Sequence, residues 1–85
     1  RLKLKTLMNY SPSDLEDIMG KPNFVLHTEK MSLWQYEAGN CIIDFFLHLN
    51  RDQYYVSFID VRASRLGENM DIYTCEHEVT NALNL

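Results

Sequence analysis

The side chains with reactive or ligating chemistry gather at only a few places in this chain. Cys75-Glu76-His77-Glu78 puts a thiol, an imidazole and two carboxylates in consecutive positions. On a helix, neighbours in sequence fan apart, and ligands sharing a face stand three or four residues from each other. Cys75 and His77 are two apart, and no second Cys or His pair has zinc-type spacing. No metal or cofactor is expected. A Cys–His nucleophile built from His27 or His48 needs an exposed, activated thiolate, whereas Cys41 and Cys75 both fall in apolar patterns. Gly20, Gly39 and Gly67 are too scattered to form a phosphate-cradling loop. Asp44 and Asp60 could pair across neighbouring strands as a dyad, but two solvent-facing acids near a strand end are the commoner case. No catalytic residue is assigned, and the chain reads as non-enzymatic.

The elements that position these residues are well punctuated. Ser11 can cap a helix, Pro12 suits its first position, and Asp14 stands where the partner of a capping box belongs. Tyr10 and Leu15 match a hydrophobic staple. Asp14, Glu16 and Asp17 suit the positive end of the helix dipole. Leu15, Ile18 and Met19 form the apolar stripe, Gly20 stops the helix and Pro22 prevents its resumption. The period then changes. Phe24-Val25-Leu26 running on through His27 suggests a strand, with a turn at Glu29-Lys30. Met31 to Ala38 is a second strand, with Ser32, Trp34, Tyr36 and Ala38 on one face. Gly39-Asn40 signals a tight hairpin. Cys41, Ile43, Phe45, Leu47 and Leu49 then alternate with Ile42, Asp44, Phe46 and His48, and the first set is expected to face the core. A turn at Asn50 to Gln53 leads into a strand from Tyr54 to Arg62 whose two faces are equally apolar. Ala63 to Met70 reads as a loop. Ile72, Cys75, Val79, Ala82 and Leu83 recur at helical spacing, giving a terminal helix laid on the sheet. Arg1, Lys3 and Lys5 alternate with Leu2 and Leu4 as an edge strand or the end of a linker.

The expected fold class is α+β: an N-terminal helix, an antiparallel meander of three or four strands, and a C-terminal helix packed on one face. At 85 residues the chain is a single domain, residues 1–85. A chain of this size buries only about 60–65% of its unfolded surface and sits near the limit of independent stability. A hydrophobic content of 46% argues against disorder, and the net charge of −4 disfavours nucleic acid as partner. No apolar run approaches the ~20 residues of a membrane span. If the terminal helix covers the sheet, Cys41 and Cys75 can meet as a disulfide, the staple a small domain often needs. The alternative is two buried free thiols.

Two aromatic groups invite a functional reading. Trp34 and Tyr36 are expected as core residues beneath the first helix, with a partner-binding surface as the alternative. The opposite face carries Ile42, Phe46, His48 and Tyr54 or Tyr55. If helices cover one side alone, these form an exposed apolar patch of the kind that marks interaction sites.

The run from Ser11 to Asp14, with Leu15, Ile18, Met19-Gly20-Lys21-Pro22, Trp34 and Tyr36, resembles the SmpA/OmlA (BamE-like) domain of bacterial outer-membrane lipoproteins. Leu33-Trp34-Gln35-Tyr36, Cys41 and Asp44-Phe45-Phe46-Leu47 also resemble short envelope proteins of this type. The resemblance implies a periplasmic, outer-membrane-associated module acting by contact rather than catalysis, with another envelope protein as partner. Attachment to the membrane would be through a lipid anchor outside the residues given. Barrel assembly or envelope integrity is the implied setting. A small secreted inhibitor or ligand-binding module is the second expectation.

Overall fold

The computed structural model describes residues 2–84, and the basic position at Arg1 lies outside the described residues. The elements run in the order 3₁₀ turn (Leu4–Leu7), α1 (Pro12–Met19), β1 (Phe24–His27), β2 (Met31–Ala38), β3 (Cys41–Asn50), β4 (Gln53–Ala63) and α2 (Ile72–Leu83). The strands form one antiparallel sheet in sequence order β1-β2-β3-β4. This is the expected α+β architecture, with four strands.

Helix α1 begins as its sequence dictates. Ser11 Oγ accepts a hydrogen bond from Asp14 N at 3.2 Å, and Pro12 occupies the first turn. Leu15 and Met19 are buried, but Ile18 lies at the exposed edge of the stripe. Gly20 ends the helix at φ 75°, ψ −169°. This region is open essentially to glycine alone. Helix α2 starts on Asp71, whose carboxylate accepts from Thr74 N at 2.8 Å. That hydrogen bond holds the Asp71 pKa below its ordinary value.

The sheet is covered on one side. Cys41, Ile43, Phe45 and Leu47 of β3 are fully buried, and Tyr36 and Ala38 join them from β2. Leu4, Leu7, Leu15, Met19, Cys75 and Val79 close over them from the 3₁₀ turn and the two helices. The N-terminal residues are therefore not an edge strand. Leu4 and Leu7 are buried at a spacing of three, which a 3₁₀ turn provides and an alternating strand does not. Leu49 falls beyond the covering elements and is exposed, as is Ala82 on α2.

Trp34 and Tyr36 lie on the helix side. Tyr36 packs edge-on against Phe45 with ring centroids 5.6 Å apart, and its hydroxyl donates to Gly20 O at 2.7 Å. Burial and the nearby Glu16 push the Tyr36 phenol pKa well up, so it remains a proton donor. The end of α1 is thereby hung on the centre of the sheet.

Cys41 and Cys75 form a disulfide with their Cα atoms 5.6 Å apart, joining the start of β3 to the first turn of α2. A second tie links the two ends of the chain. Glu76 is 7% exposed, and its Oε2 accepts from Leu4 N at 2.7 Å.

The turns set the register. Gly39 alone has positive φ (58°) in the β2–β3 hairpin, and a Cβ there would also overlap the Glu78 carboxylate of α2. Arg51 and Asp52, with φ of 52° and 68°, form a two-residue β3–β4 turn with both residues left-handed. Such turns favour Asn-Gly, and each non-glycine residue there costs about 1 kcal/mol.

Two stability outcomes follow. Reducing the disulfide should remove about 3–4 kcal/mol for a loop spanning 34 positions. Urea melts of oxidised and reduced protein should then differ in midpoint by roughly 2–3 M, and coincident curves would refute the role assigned to the bond. Replacing Arg51-Asp52 by Asn-Gly should raise stability by about 1 kcal/mol in the same assay, whereas a loss would show that the side chains, not the backbone, hold this turn.

Candidate functional site

The face of the sheet away from the helices departs from a solvated exterior, carrying exposed apolar side chains among the described residues. Its side chains come from alternate strand positions, and the pairing aligns them in rows across the strands. Leu26 pairs with Leu33, Leu33 with Phe46, and Phe46 with Phe58. Cross-strand partners share a face, so these four residues make an apolar row spanning all four strands. Phe46 and Phe58 touch with ring centroids 5.6 Å apart and tilted by 51°. Phe58 is 57% exposed, Leu26 49%, and Phe24, one row away, 51%.

A polar row borders this one. Gln35 pairs with Asp44, and Asp44 with Asp60. Asp44 is only 5% exposed although it faces away from the core. Its Oδ1 accepts from Gln35 Nε2 at 2.9 Å and its Oδ2 from an Arg62 Nη at 2.5 Å. The same Arg62 nitrogen lies 3.5 Å from Asp60 Oδ2. The hydrogen bond to Asp44 raises the Arg62 pKa above its already high value. The two aspartates are thus cross-strand partners, as their spacing allows, with a guanidinium standing between them. The arrangement is a clamp. It fixes the register of β2, β3 and β4 at the border of the apolar row.

On the other border, His48 pairs with Met31 and Tyr55. Its Nδ1 contacts Ser57 Oγ, and that hydroxyl also lies 3.2 Å from Phe46 O as a donor. A serine hydroxyl has one proton. Ser57 can therefore give its proton to Phe46 O or to His48 Nδ1 but not to both, and the imidazole tautomer sets which. His27 lies on the exposed edge strand and His77 on an exposed part of α2. Neither cysteine is a free thiol, so a Cys–His nucleophile is chemically closed. Among the described residues no group of three or more His, Cys, Asp and Glu side chains could hold a metal.

Of the four residues expected on this face, the structure brings together Ile42, Phe46 and His48. Tyr54 is a correction: it packs against the core on the helix side, opposite Leu49, with its ring 5.6 Å from that of His27. Tyr55 takes the open-face position instead. The cause is a β-bulge. The pairing sum changes between Phe46/Phe58 and Leu47/Val56, leaving Ser57 as the extra residue. Since side chains alternate strictly, one extra residue reverses the facing of everything beyond it. Leu26, Leu33 and Phe58 were not singled out by the sequence, and the only signal for them is cross-strand pairing.

The chain matches no protein-family model, no curated protein and no solved structure. The surface itself therefore carries the functional argument. Its electrostatic border makes one prediction. Arg62→Gln should destabilise the fold by about 1–2 kcal/mol, a modest loss because the arginine is half exposed. Asp44→Asn in that background should recover part of the loss, measured by chemical unfolding. Strictly additive losses would mean that the pair does not interact.

Proposed function

We propose that this chain is a non-catalytic protein-interaction module of the bacterial cell envelope, docking a partner protein on the open face of its sheet. The observation that carries the proposal is the row Leu26–Leu33–Phe46–Phe58. It is continuous across every strand and left largely uncovered at its two ends. Exposed apolar surface bordered by ordered polar groups is the anatomy of a protein interface. A β-sheet face is also rigid, so little ordering entropy opposes binding.

The disulfide supports placement in an oxidising compartment, since such bonds persist in the periplasm and outside cells and are rare in the cytosol. Together with the resemblance to SmpA/OmlA-type lipoprotein domains, this favours the periplasm, in association with the outer membrane, and a role in outer-membrane assembly or envelope integrity. The partner is another envelope protein.

The test is site-specific photo-crosslinking in cells producing the chain in their envelope. A photoreactive residue at Phe58 should give a discrete protein adduct, and one at Asp17 on exposed α1 should not. Phe58→Lys should abolish the adduct formed from a second photoreactive residue at Leu26. It should change folding stability by no more than about 1 kcal/mol, because the ring is already more than half exposed. Equal adducts from both faces, or none from Phe58, would overturn the proposal.

A further inference from the structure

The outer edge of β4 presents a second recognition feature, which meets the open face at Phe58. In an antiparallel ladder, alternate residues turn their N–H and C=O groups away from the neighbouring strand. Two anchors fix which residues these are. Ser64 N donates to Asn40 O at 2.9 Å, making that pair inward-bonded. Counting by twos, Arg62, Asp60 and Phe58 bond to β3, and Ala63, Val61 and Ile59 point outward. Beyond the bulge, Val56 points outward as well, and its backbone shows it: Asn9 N donates to Val56 O at 2.8 Å, and Val56 N donates to Tyr10 O at 2.9 Å. The chain therefore already supplies a short stretch of its own backbone as a partner to this edge. That pairing ends at Val56, and the outward groups of Ile59, Val61 and Ala63 have no backbone partner outside the ladder among the described residues.

A groove of about 460 Å³ opens beside this unpaired stretch, lined by Lys5, Met8, Phe58, Ile59 and Ile72. Four of its five lining residues are apolar, and the charged one is a cation. A neighbouring hollow of about 260 Å³ shares Lys5 and Ile72 and adds Lys3, Thr6, Tyr73 and Glu76. The Glu76 carboxylate is engaged by Leu4 N, and Asp71, which precedes Ile72, is engaged by Thr74 N. Among the described residues, Lys5 in the groove and Lys3 in the adjoining hollow have no ion-pair partner, in a chain whose net charge is −4. An apolar slot beside unpaired strand backbone, with one cation in its wall and a second next to it, suits one kind of occupant.

We propose that the Ile59–Ala63 edge of β4 is a strand-addition site for an extended segment of a partner protein, bearing an apolar side chain and a nearby carboxylate side chain. The backbone of the segment continues the pairing that Asn9 and Tyr10 begin. Its apolar side chain enters the groove between Met8, Phe58 and Ile72, and its carboxylate meets Lys5 and Lys3. Affinity in this mode comes from main-chain hydrogen bonds and selectivity from the pocket and the charge.

The experiment uses the oxidised chain and a blocked hexapeptide that alternates threonine with isoleucine or valine and ends in glutamate. Titration is followed by amide NMR. The expected result is saturable shifts, with slowed hydrogen exchange, at the amides of Ile59, Val61 and Ala63. N-methylation of the peptide at alternate amides should weaken binding about tenfold or more in one register and little in the other. The Lys3→Gln/Lys5→Gln variant, altered only at exposed side chains, should lose several-fold affinity for this peptide. It should not distinguish it from the counterpart ending in glutamine. Shifts confined to the open face or to β1 would overturn the proposal, as would no binding or equal affinity of the variant and the original chain for the glutamate peptide. Protection of the same amides without peptide, accompanied by a doubled mass in solution, would also overturn it by assigning the edge to a second copy.

Discussion

A covalent bond between the first residue of β3 and the first turn of α2 is the constraint on which the rest of the molecule leans. Helix α2 has little else with which to hold the sheet. Of its twelve residues, Cys75, Glu76 and Val79 are buried, and Ile72 and Leu83 only half so. Ordering that many residues for so small an apolar contact is unfavourable for an isolated helix. The bond keeps α2 near the sheet in the unfolded chain as well as the folded one, so Val79 and Ile72 need only complete the contact. The Glu78 carboxylate, seated against Gly39 at the β2–β3 hairpin, adds a second point of alignment. Where the sulfurs join, the helix covers β2 and β3, and the sheet acquires one dry face.

The dry face in turn organises the termini. Leu4 and Leu7 are buried in the same core as Cys75 and Val79 of α2, and the N–H of Leu4 is satisfied by a carboxylate seventy-two positions away. A carboxylate so deeply enclosed is costly unless it is hydrogen-bonded, and the 3₁₀ turn provides the donor. Tyr36 performs the corresponding service for α1 by capturing Gly20 O. Each covering segment is thus attached to the sheet, or to another covering segment, by at least one polar bond as well as by apolar contact. None of these bonds lies on the opposite face, which is left to the Leu26–Phe58 row and its Asp44–Arg62 border.

Much of this was legible in the residues. The cap at Ser11, the stop at Gly20-Lys21-Pro22, the bounds of β2 and the alternation of β3 each have a local chemical cause, and the structure follows them. The convergence of Cys41 and Cys75 was legible as well, because both residues lie on apolar faces that a single-sided fold brings together. The facing of β4 was not. Its residues are apolar on both sides, and a strand without contrast carries no parity signal. The two-residue turn at Arg51-Asp52 fixes the pairing near its own end, but unbroken pairing would set Phe46 against Ser57 rather than Phe58. The bulge at Ser57 is a tertiary choice: it keeps Val56 and Tyr54 with the core while Ile59 and Val61 remain there too. For the same reason the sequence left Tyr54 and Tyr55 as alternatives for the open face, and the molecule uses Tyr55. The buried Glu76 was equally hidden, since a glutamate in a charged helical run looks solvated until its distant donor is known.

The placement of Leu4 has a geometric corollary. Leu4 and its partner Glu76 lie on the roofed side of the sheet, while Phe46 and Phe58 look the other way. Strain or substitution at the Leu4–Glu76 tie therefore reaches the aromatic pair only through the thickness of the sheet.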